Sequence, residues 1–473
     1  MCYNKVLALK GETNMSTKQF IVTDFGAVPY VDIPQTEAIQ KALDACFLAG
    51  GGEVIIPANM RFVTGDIRLR SNTTLHLMEN AVLFGSKNSA DYLHIHDDKI
   101  EPLPEEQNTK LLWDYNREIK RIGDYFKAYL YTAGSHWNYA IIRAVYAENI
   151  AVIGEAGARI DGRNPYDPDG EENYRGPHGV NMHFCKNVTF RGYTIEQAGN
   201  WAHAIFQSEN VTFENLTVFA GHDALHTRAC TGVLMQGCKL ITGDDCVAGF
   251  DNIDVVIRDC EISTACSAFR YGGNNILVEN CNVWGPCPFQ FRGSFTKEEK
   301  IAGATTSVNG KSDMISFWTN FVSNDLPTRK PAGKVVIRNC TVKNAARMLH
   351  LNLSGNEPWQ IGTPPTDILF ENIKFEGAKA GLTAYGIEEC PMEITLRDVD
   401  FTYAEGAGEE PMFRAAHCSA INLENVTVKG FSGSSLIRAW SDGIKVNTDN
   451  LVCDLGDGEL ITRATEEFVC KKI

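Results

Sequence analysis

A short phrase of alternating apolar and polar positions recurs along the chain from residue 148 to about residue 430. Each copy reads as an alternating run, a polar pair that often contains Asn, and a second alternating run, as in ENVTFENLTVFAG and GKVVIRNCTVKN. Alternation with a period of two is typical of strands with one buried face, and Gly, Asn and Asp mark the tight turns between them. The phrase returns about every 20 to 25 residues in the middle of the chain, which predicts the coils of a solenoid rather than a sandwich.

Alignment of the phrases stacks one apolar position and one polar position from coil to coil. The apolar position is occupied by Leu216, Cys238, Cys260, Cys281, Cys340, Ile373, Val399 and Val426. The position before it carries Asn215, Asn280, Asn339, Asn372 and Asn425. Asn tolerates a left-handed backbone and can hydrogen-bond to its copies in neighbouring coils. The sequence therefore predicts an all-β fold, a right-handed parallel β-helix, with neighbouring coils about 4.8 Å apart.

Three segments depart from the repeat. Residues 34–49 carry a helical apolar pattern that stops at three glycines, which predicts a short N-terminal helix that caps the open end of the solenoid. Residues 93–139 and 294–331 lack the repeat phrase, and we expect long loops that build a cleft on the rigid scaffold. The predicted organisation is an N-terminal extension over residues 1–19 and a single β-helix domain over residues 20–473.

Composition narrows the classes of function. The 473 residues include 44 Lys and Arg against 59 Asp and Glu, a formal charge of −15, so a nucleic-acid partner is not expected. No run approaches the roughly 20 apolar residues of a membrane span. The N-terminal stretch MCYNKVLALKGETNM lacks a signal-peptide pattern, and we expect a cytoplasmic protein. The 15 cysteines are odd in number and lack paired CxxC spacing, which favours buried free thiols over a metal site or a disulfide framework.

Acidic residues at equivalent places in two successive coils are the main candidates for chemistry. Asp223 lies in one coil, and Asp244 and Asp245 lie about one repeat further on, so we expect all three on the same face. Carboxylates in a small patch repel one another, which should raise at least one pKa and place an acid beside a base. Glycoside hydrolysis requires that combination. The spacing alone also fits a solvated turn or a pair of calcium ligands.

The order of motifs resembles the polygalacturonase family, glycoside hydrolase family 28. The similar stretches lie within about residues 20–295 and include TDFGAV, GGGEVIIPAN, CKNVTFRG and TGDDCVAG. The resemblance implies a right-handed β-helix that hydrolyses pectin-type polysaccharides with inversion. It implies that Asp244 is the general acid, and that Asp223 and Asp245 are bases that hold the water. We expect no metal or cofactor, because three carboxylates suffice and no Cys/His set with zinc-ligand spacing accompanies them.

The chain departs from this family at the positions that bind the sugar. Gly221-His222 stand where the family has Asn-Thr before the first aspartate, and Cys266 stands where the family has the histidine of a Gly-His-Gly motif. The family's Arg-Ile-Lys motif, which holds the substrate carboxylate, aligns with Gln290-Phe291-Arg292. Arg292 is therefore the predicted carboxylate-binding cation, with Gln290 beside it. Arg270 lies an even step from Cys266 and, on an unbroken strand, should point to the same side as a second cation.

Other polar and aromatic residues are weaker candidates for sugar binding, and ordinary packing explains them as well. They are His178, Trp201, His203, His222 and His226. The last two flank Asp223, and either could replace the missing histidine. The first three precede it in earlier coils, where an aromatic face suits the apolar side of a pyranose. His350 and Asn352 share one face after the second long loop and are candidates for the cleft.

The sequence favours an inverting glycoside hydrolase of pectin-related oligosaccharides that contain uronate or rhamnose. We expect exo action, because long loops can wall off the cleft. A β-helix lyase or transferase is the alternative among enzymes, and a lyase would need a cation or Ca²⁺ to stabilise the anion it forms beside a uronate carboxylate. The alternative of another class is a catalytically silent carbohydrate-binding solenoid, which would bind sugar without turnover.

Overall fold

The chain forms a right-handed parallel β-helix, as the repeat predicts. The structure is a computed structural model that describes residues 18–92, 136–321, 332–357, 360 and 362–465. In the described residues 33 strands pair in parallel, and they form three rows along the solenoid axis. Several of the later strands run through a corner, so that one strand contributes to two rows.

The first row carries the candidate site. Its strands are β4 (Ile67–Arg68), β7 (Ala140–Val145), β10 (His178–His183), β13 (His203–Phe206), β16 (Leu225–Arg228), β19 (Val247–Arg258), β21 (Ser267–Glu279), β23 (Met314–Asn320), β25 (Ala345–Asn352), β27 (Leu382–Tyr385), β29 (Phe413–Ala416), β31 (Ser435–Ala439) and β33 (Glu459–Arg463).

The second row also receives the later halves of β19 and β21. Its own strands are β1 (Gln19–Ile21), β2 (Gly52–Ile56), β5 (Thr73–Leu77), β8 (Glu148–Gly154), β11 (Lys186–Arg191), β14 (Glu209–Glu214), β17 (Thr231–Gln236), β24 (Gly333–Lys343), β26 (Asp367–Ala378), β28 (Met392–Tyr403), β30 (Cys418–Lys429) and β32 (Lys445–Cys453). The third row begins with β3 (Arg61–Thr64), β6 (Val82–Gly85), β9 (Arg159–Asp161), β12 (Thr194–Glu196), β15 (Thr217–Ala220), β18 (Lys239–Thr242), β20 (Glu261–Thr264) and β22 (Asn282–Trp284), and the later halves of the longer strands from β24 onward continue it.

Apolar side chains fill the interior of the coils because alternate residues of each strand point inward. In β11, for example, Val188 and Phe190 are buried, whereas Lys186 and Arg191 are exposed. The predicted ladder of Cys and aliphatic residues is confirmed, since all eight members are buried in one core. Its register continues from Cys340 to Ile373, Val399 and Val426 in successive coils.

The predicted Asn ladder is also confirmed. Each member has a left-handed backbone, with φ between 51° and 57°. The side-chain amide of Asn372 donates to Asn339 at 2.9 Å, and that of Asn339 donates to Asn280 at 3.3 Å. These bonds satisfy polar groups at the corner between the second and third rows, where the backbone leaves the strand geometry.

The N-terminal helix is present at α1 (Thr36–Leu48), where Ile39, Leu43 and Cys46 are buried against the first coils. The chain leaves the helix through glycines with positive φ, among them Gly51 at 108°, where a β-carbon would lie 2.5 Å from the carbonyl oxygen of Asn72. The predicted end of the helix at these glycines is therefore confirmed. Among the described residues, no helix combines the length and hydropathy that a membrane crossing needs.

One segment predicted as a loop contains regular secondary structure. The segment 294–331 contains the short helix α2 (Lys297–Ile301) and the first-row strand β23. Strand β23 was missed because its sequence MISFWTN lacks the polar phrase, although Trp318 is buried and pairs with Phe269 and Leu349. Most of the other predicted loop, residues 93–135, lies outside the described residues.

The 13 cysteines within the described residues are free thiols, and ten of them are buried. This agrees with the predicted role of Cys as a small core residue.

Candidate active site

Two consecutive turns place the three aspartates together. Asp223 comes just before β16, and Asp244 and Asp245 come just before β19, the next strand of the first row. Leu225 pairs with Val247, and the Ala224 N–H donates to the carbonyl oxygen of Asp245 at 3.1 Å. Asp223 and Asp245 are therefore one strand spacing apart, as the repeat predicts.

Glycines in these turns make room for a covering segment, residues 287–295. A β-carbon on Gly243 would lie 2.0 Å from the carbonyl oxygen of Gln290, and one on Gly221 would lie 3.1 Å from Cβ of Arg292. The glycine that replaces the family's Asn at position 221 is thus explained by the close approach of this segment.

Above the turns lies a cleft of about 320 Å³. Its lining includes Asp223, Asp244, Cys266, Arg270 and Trp201. Asp245 is fully buried beneath it, whereas Asp244 keeps 7% of its surface exposed and Asp223 keeps 2%. Asp244 is therefore the carboxylate that solvent or a ligand reaches most readily.

His226 holds Asp223 from below. Its Nδ1 lies 3.0 Å from Oδ2 of Asp223, and its ring stacks on Trp201 with 3.7 Å between the ring centroids. His226 is buried and does not line the cleft, so it orients the carboxylate rather than binding a sugar. Trp201 does line the cleft, as predicted, and also fixes the imidazole plane.

Two arginines bind the other carboxylates. Nη2 of Arg175 donates to Oδ2 of Asp244 at 3.3 Å, and Nη1 of Arg270 donates to Oδ2 of Asp245 at 3.1 Å. The Ser267 N–H donates to the second oxygen of Asp245 at 3.0 Å. Arg270 and Cys266 both line the cleft, which confirms the expectation that they point to the same side.

Burial and mutual repulsion raise two of the three carboxyl pKa values. The pKa of Asp223 is well above its usual value because the group is buried and faces Asp244 and Asp245. Burial and the charge of Asp245 raise the pKa of Asp244 to about 6, and Arg175 opposes this rise. The expectation that repulsion raises at least one pKa is confirmed. Asp244 can therefore hold a proton near pH 6.

The structure does not place Arg292 where its predicted role requires it. Arg292 is 1% exposed and is absent from the lining of the cleft. Its guanidinium donates to the side chain and carbonyl of Asn164 at 3.3 and 3.1 Å and to the carbonyl of Lys300 at 3.3 Å. Gln290 is likewise engaged within the covering segment, where Oε1 accepts from the Ser307 N–H at 2.7 Å. Both residues hold the wall of the cleft together instead of contacting a ligand.

Three predicted sugar-binding histidines are core residues, and the structure does not bring them to the cleft. His178, His203 and His222 are fully buried. Nε2 of His178 lies 3.0 Å from the carbonyl oxygen of Trp137, and that of His203 lies 2.8 Å from the Tyr193 hydroxyl. His222 packs beside the Tyr174 ring, with 5.8 Å between the centroids. Sequence alone could not separate buried from exposed histidines at these positions.

Sequence reasoning missed Arg175 and its acidic neighbours Glu171 and Glu172, which line the cleft. Nε of Arg175 donates to Glu172 at 3.1 Å, and Nη1 donates to Asn200 at 3.3 Å. Burial raises the pKa of Glu171 to about 7, although Arg175 opposes the rise. The acidic-basic run GEENYR, placed between repeat phrases, was the one available signal.

His350 also lines the cleft, as expected from its face, and its Nε2 lies 2.9 Å from Glu357. Asn352 donates to the same Glu357 at 3.0 Å and does not line the cleft. Glu357 was a further residue that the sequence did not indicate.

The geometry gives weak support to the alternative that Asp244 and Asp245 are calcium ligands. One ligand atom each from Asp244, Asp245 and Cys266 lies within 4.8 Å of the others. Ca²⁺ takes about six to eight oxygen ligands, and this group supplies two carboxylates and a sulfur.

Comparison with known proteins supports the resemblance noted from the sequence. Residues 120–283 match the family Glycosyl hydrolases family 28. The chain is 24% identical over 239 residues to a probable polygalacturonase of Vitis vinifera, a match covering 48% of this chain and 43% of that protein. It is 41% identical over 80 residues to an exo-poly-alpha-D-galacturonosidase of Dickeya chrysanthemi, covering 17% of this chain and 13% of that protein. The matches thus span less than half the length of either relative.

The fold has a solved counterpart in the exopolygalacturonase of Thermotoga maritima. The two structures superpose with a TM-score of 0.60 at 17% identity, over 87% of this chain and 92% of the other. This likeness establishes the shared β-helix fold. The chain therefore resembles family 28 in both sequence and architecture.

Proposed function

We propose that this chain is a glycoside hydrolase that acts on pectin-related oligosaccharides. The observation that carries the proposal is the buried trio Asp223, Asp244 and Asp245 in one cleft, with the pKa of Asp244 raised to about 6. The match to family 28 supports the reaction class.

In the proposed reaction Asp244 donates its proton to the oxygen of the leaving sugar. It is the most exposed of the three carboxyl groups, and a pKa of about 6 keeps it protonated under mildly acidic conditions. Asp223, which lines the cleft, holds the attacking water, and Asp245 lies buried beneath it. Asp223 accepts a proton from that water only in its ionised form, which the charges of Arg270 and Arg175 favour.

We propose inversion at the anomeric carbon, with Asp223 as the main base. Acid and base of an inverting pair usually stand about 6.5 to 9.5 Å apart, which leaves room for water. Asp244 and Asp245 offer oxygens within 4.8 Å of each other, which is closer than that range. The wider separation between acid and base would then have to lie between Asp244 and Asp223.

Exo action on a uronate- or rhamnose-containing chain is the finer part of the proposal. The names of the Dickeya and Thermotoga proteins include exo action, and the segment with Glu171, Glu172 and Arg175 walls one side of the cleft. Arg175 and Arg270 both line the cleft, and Arg270 is the cation better placed for an acidic sugar because its side chain is 18% exposed against 5% for Arg175.

Product analysis tests this proposal. The full chain is incubated with pectin fragments of defined length, and mass spectrometry and NMR identify the first-formed product. Hydrolysis adds one water, and inversion gives the opposite anomer at the start of the reaction. An unsaturated product would indicate a lyase, a retained anomer would exclude inversion, and binding without any product would indicate a silent carbohydrate-binding protein.

A further inference from the structure

A stripe of aliphatic side chains crosses the outer surface of the second row. Its members pair in register from one coil to the next, and we call this set the aliphatic stripe: Leu234, Val256, Leu277, Val336 and Leu369. Each lies between two buried residues of its own strand, as Leu277 lies between Ile276 and Val278. Because successive side chains of a strand alternate between faces, the aliphatic stripe points away from the core. All five residues keep part of their surface exposed.

The aliphatic stripe is a bounded patch on this surface. Neighbouring coils are about 4.8 Å apart, so its four steps span about 19 Å. Polar residues follow it at both ends along the solenoid axis, Thr212 in the coil before Leu234 and Thr395 in the coil after Leu369. Single apolar residues on a surface need no explanation, whereas a contiguous apolar patch with a polar rim is typical of an interaction site.

A column of polar side chains borders the aliphatic stripe. Each member lies two positions after a stripe residue and therefore shares its face, and we call this set the charged column: Gln236, Arg258, Glu279, Arg338 and Glu371. From Arg258 onward the signs of the charges alternate from coil to coil, and Nη2 of Arg338 lies 2.7 Å from Oε2 of Glu279. A partner whose charges all have one sign, such as a nucleic acid or a polyanionic glycan, does not match this alternation.

The charged column is complementary to a reversed copy of itself. Consider a two-fold axis that lies along the strand direction, midway between the coils of Glu279 and Arg338. Rotation about this axis reverses the order of the coils and keeps each column above its own counterpart. Glu279 then faces the partner's Arg338, and Arg258 faces the partner's Glu371. Every ionised member of the charged column thus meets a residue of opposite charge in a second copy of the chain.

The same rotation brings the two aliphatic stripes together. Leu277 faces the partner's Val336, and Val256 faces the partner's Leu369. Ten second-row strands, from β11 to β32, lie symmetrically about the axis. With coils about 4.8 Å apart and strands about 17 Å long, they cover about 700 Å² of each copy. A stable interface of standard size buries about 800 Å² per partner, so the second row has nearly the area that a dimer needs.

We propose that the second row is the interface of a two-fold dimer of this chain, with the axis between the coils of Leu277 and Val336. The aliphatic stripe supplies apolar burial, and the charged column sets the register of the two copies. The cleft lies on the first row, outside this interface, so the dimer leaves both clefts open. The proposal goes beyond the proposed function and does not depend on it.

Sedimentation velocity of the full chain, at concentrations from about 1 to about 100 µM, tests the dimer. Leu277→Asp places a charge against the partner's Val336, and we expect the Kd of the dimer to rise at least about tenfold. Val452→Asp is the matched control, because Val452 is an aliphatic residue of the third row that is 55% exposed. It should change the Kd less than about twofold.

Glu214 tests the position of the axis. The alternation of the charged column fails at this residue, and in the proposed dimer Glu214 faces the partner's Glu424. Glu214→Lys replaces a repulsion by an attraction at two symmetric places, so we expect the Kd to fall about fivefold. Glu209→Lys makes the same change of net charge at the opposite end of the same strand and should leave the Kd within about twofold.

Each outcome bears on the dimer. A wild-type chain that stays monomeric at about 100 µM, a dimer that Leu277→Asp leaves intact, or an equal loss in Val452→Asp would overturn it. So would a Glu214→Lys variant that dimerises no more tightly than Glu209→Lys. Dissociation by Leu277→Asp together with tightening by Glu214→Lys supports it, whether or not the chain hydrolyses any substrate. If Leu277→Asp melts at a lower temperature than wild type, the comparison of Glu214→Lys with Glu209→Lys decides alone.

Discussion

At the residue scale, Asp244 is largely buried among charged groups but keeps a small part of its surface exposed to solvent. Its exposed surface faces the cleft, Arg175 donates to one oxygen, and Asp245 lies behind it. If Asp244 is the general acid, Asp244→Asn removes the donated proton while keeping the shape. We expect kcat to fall about 10²- to 10⁴-fold on an oligosaccharide. The loss should be much smaller on an aryl glycoside whose leaving group needs no proton.

Initial rates on both substrates check this, with Asp400→Asn on an exposed strand position as the control. An equal loss on the two substrates would argue for a binding or folding role of Asp244.

Arg175 should set the pH range of the reaction. It opposes the raised pKa of Asp244, so replacing it with Met removes a nearby positive charge and raises that pKa further. The alkaline limb of the pH profile of kcat/KM should then move to higher pH by about one unit. Asp245, Arg270 and Glu172 also act on the pKa of Asp244, and Asp223 and Glu171 interact with its charge.

Arg175→Lys should restore most of the wild-type profile. The profiles are measured from pH 4 to pH 9. If Arg175→Met lowers kcat/KM but leaves the alkaline limb of its pH profile in place, Arg175 acts only on structure.

The raised pKa of Asp244 also predicts a stability trade-off. A carboxyl group whose pKa rises from 3.8 to about 6 on folding stabilises the fold below pH 4 relative to higher pH, and this contribution is lost as pH rises through 6. Asn at position 244 cannot ionise, so the stability of the Asp244→Asn variant relative to wild type should increase from pH 4 to pH 8. A shift of about two pKa units corresponds to at most about 3 kcal/mol. Urea unfolding at pH 4 and pH 8 measures the free energy of unfolding of both proteins. A larger stabilisation by Asp244→Asn at pH 4 than at pH 8 would contradict the prediction.

At the element scale, the Asn ladder stabilises the corners where strands of the second row turn into the third. Asn339 has φ of 54°, donates to Asn280 and accepts from Asn372. Asn339→Gly loses these hydrogen bonds but keeps the favourable backbone, whereas Asn339→Ala loses both. We expect Ala to cost about 1 to 2 kcal/mol more than Gly, since an L residue with a β-carbon is strained there.

Urea unfolding of the two variants measures this difference in the free energy of unfolding. Equal losses would assign the role of Asn339 to its hydrogen bonds alone.

At the scale of the whole molecule, burial determines which thiols a reagent can reach. Among the described cysteines, Cys266, Cys390 and Cys453 are partly exposed and the other ten are buried. Brief labelling of the native protein with iodoacetamide, followed by mass spectrometry, should modify these three and spare the ten. Cys266 should react slowly, because burial and the charges of Asp245 and Asp244 raise its pKa. A cleft ligand should protect it, and labelling in urea should reach all thirteen.

The sequence by itself determined the repeat, the ladders and the trio of aspartates. Each depends on spacing: a period of two sets which side chains point inward, and a fixed coil length brings Asp223 beside Asp245. The helix over Thr36–Leu48 was readable for the same reason, since its apolar period and its glycine stop are local signals.

Only the tertiary structure decided which side chains reach the cleft. Arg292 and Arg270 look alike in the sequence, but Arg292 is buried against the carbonyl oxygens of Asn164 and Lys300, whereas Arg270 opens onto the cleft. Arg175 enters from a segment without the repeat, so no spacing rule could place it beside Asp244. Strand register along a solenoid follows from local pattern, whereas the packing of irregular segments over it depends on contacts between residues far apart in the chain, and those contacts complete the site.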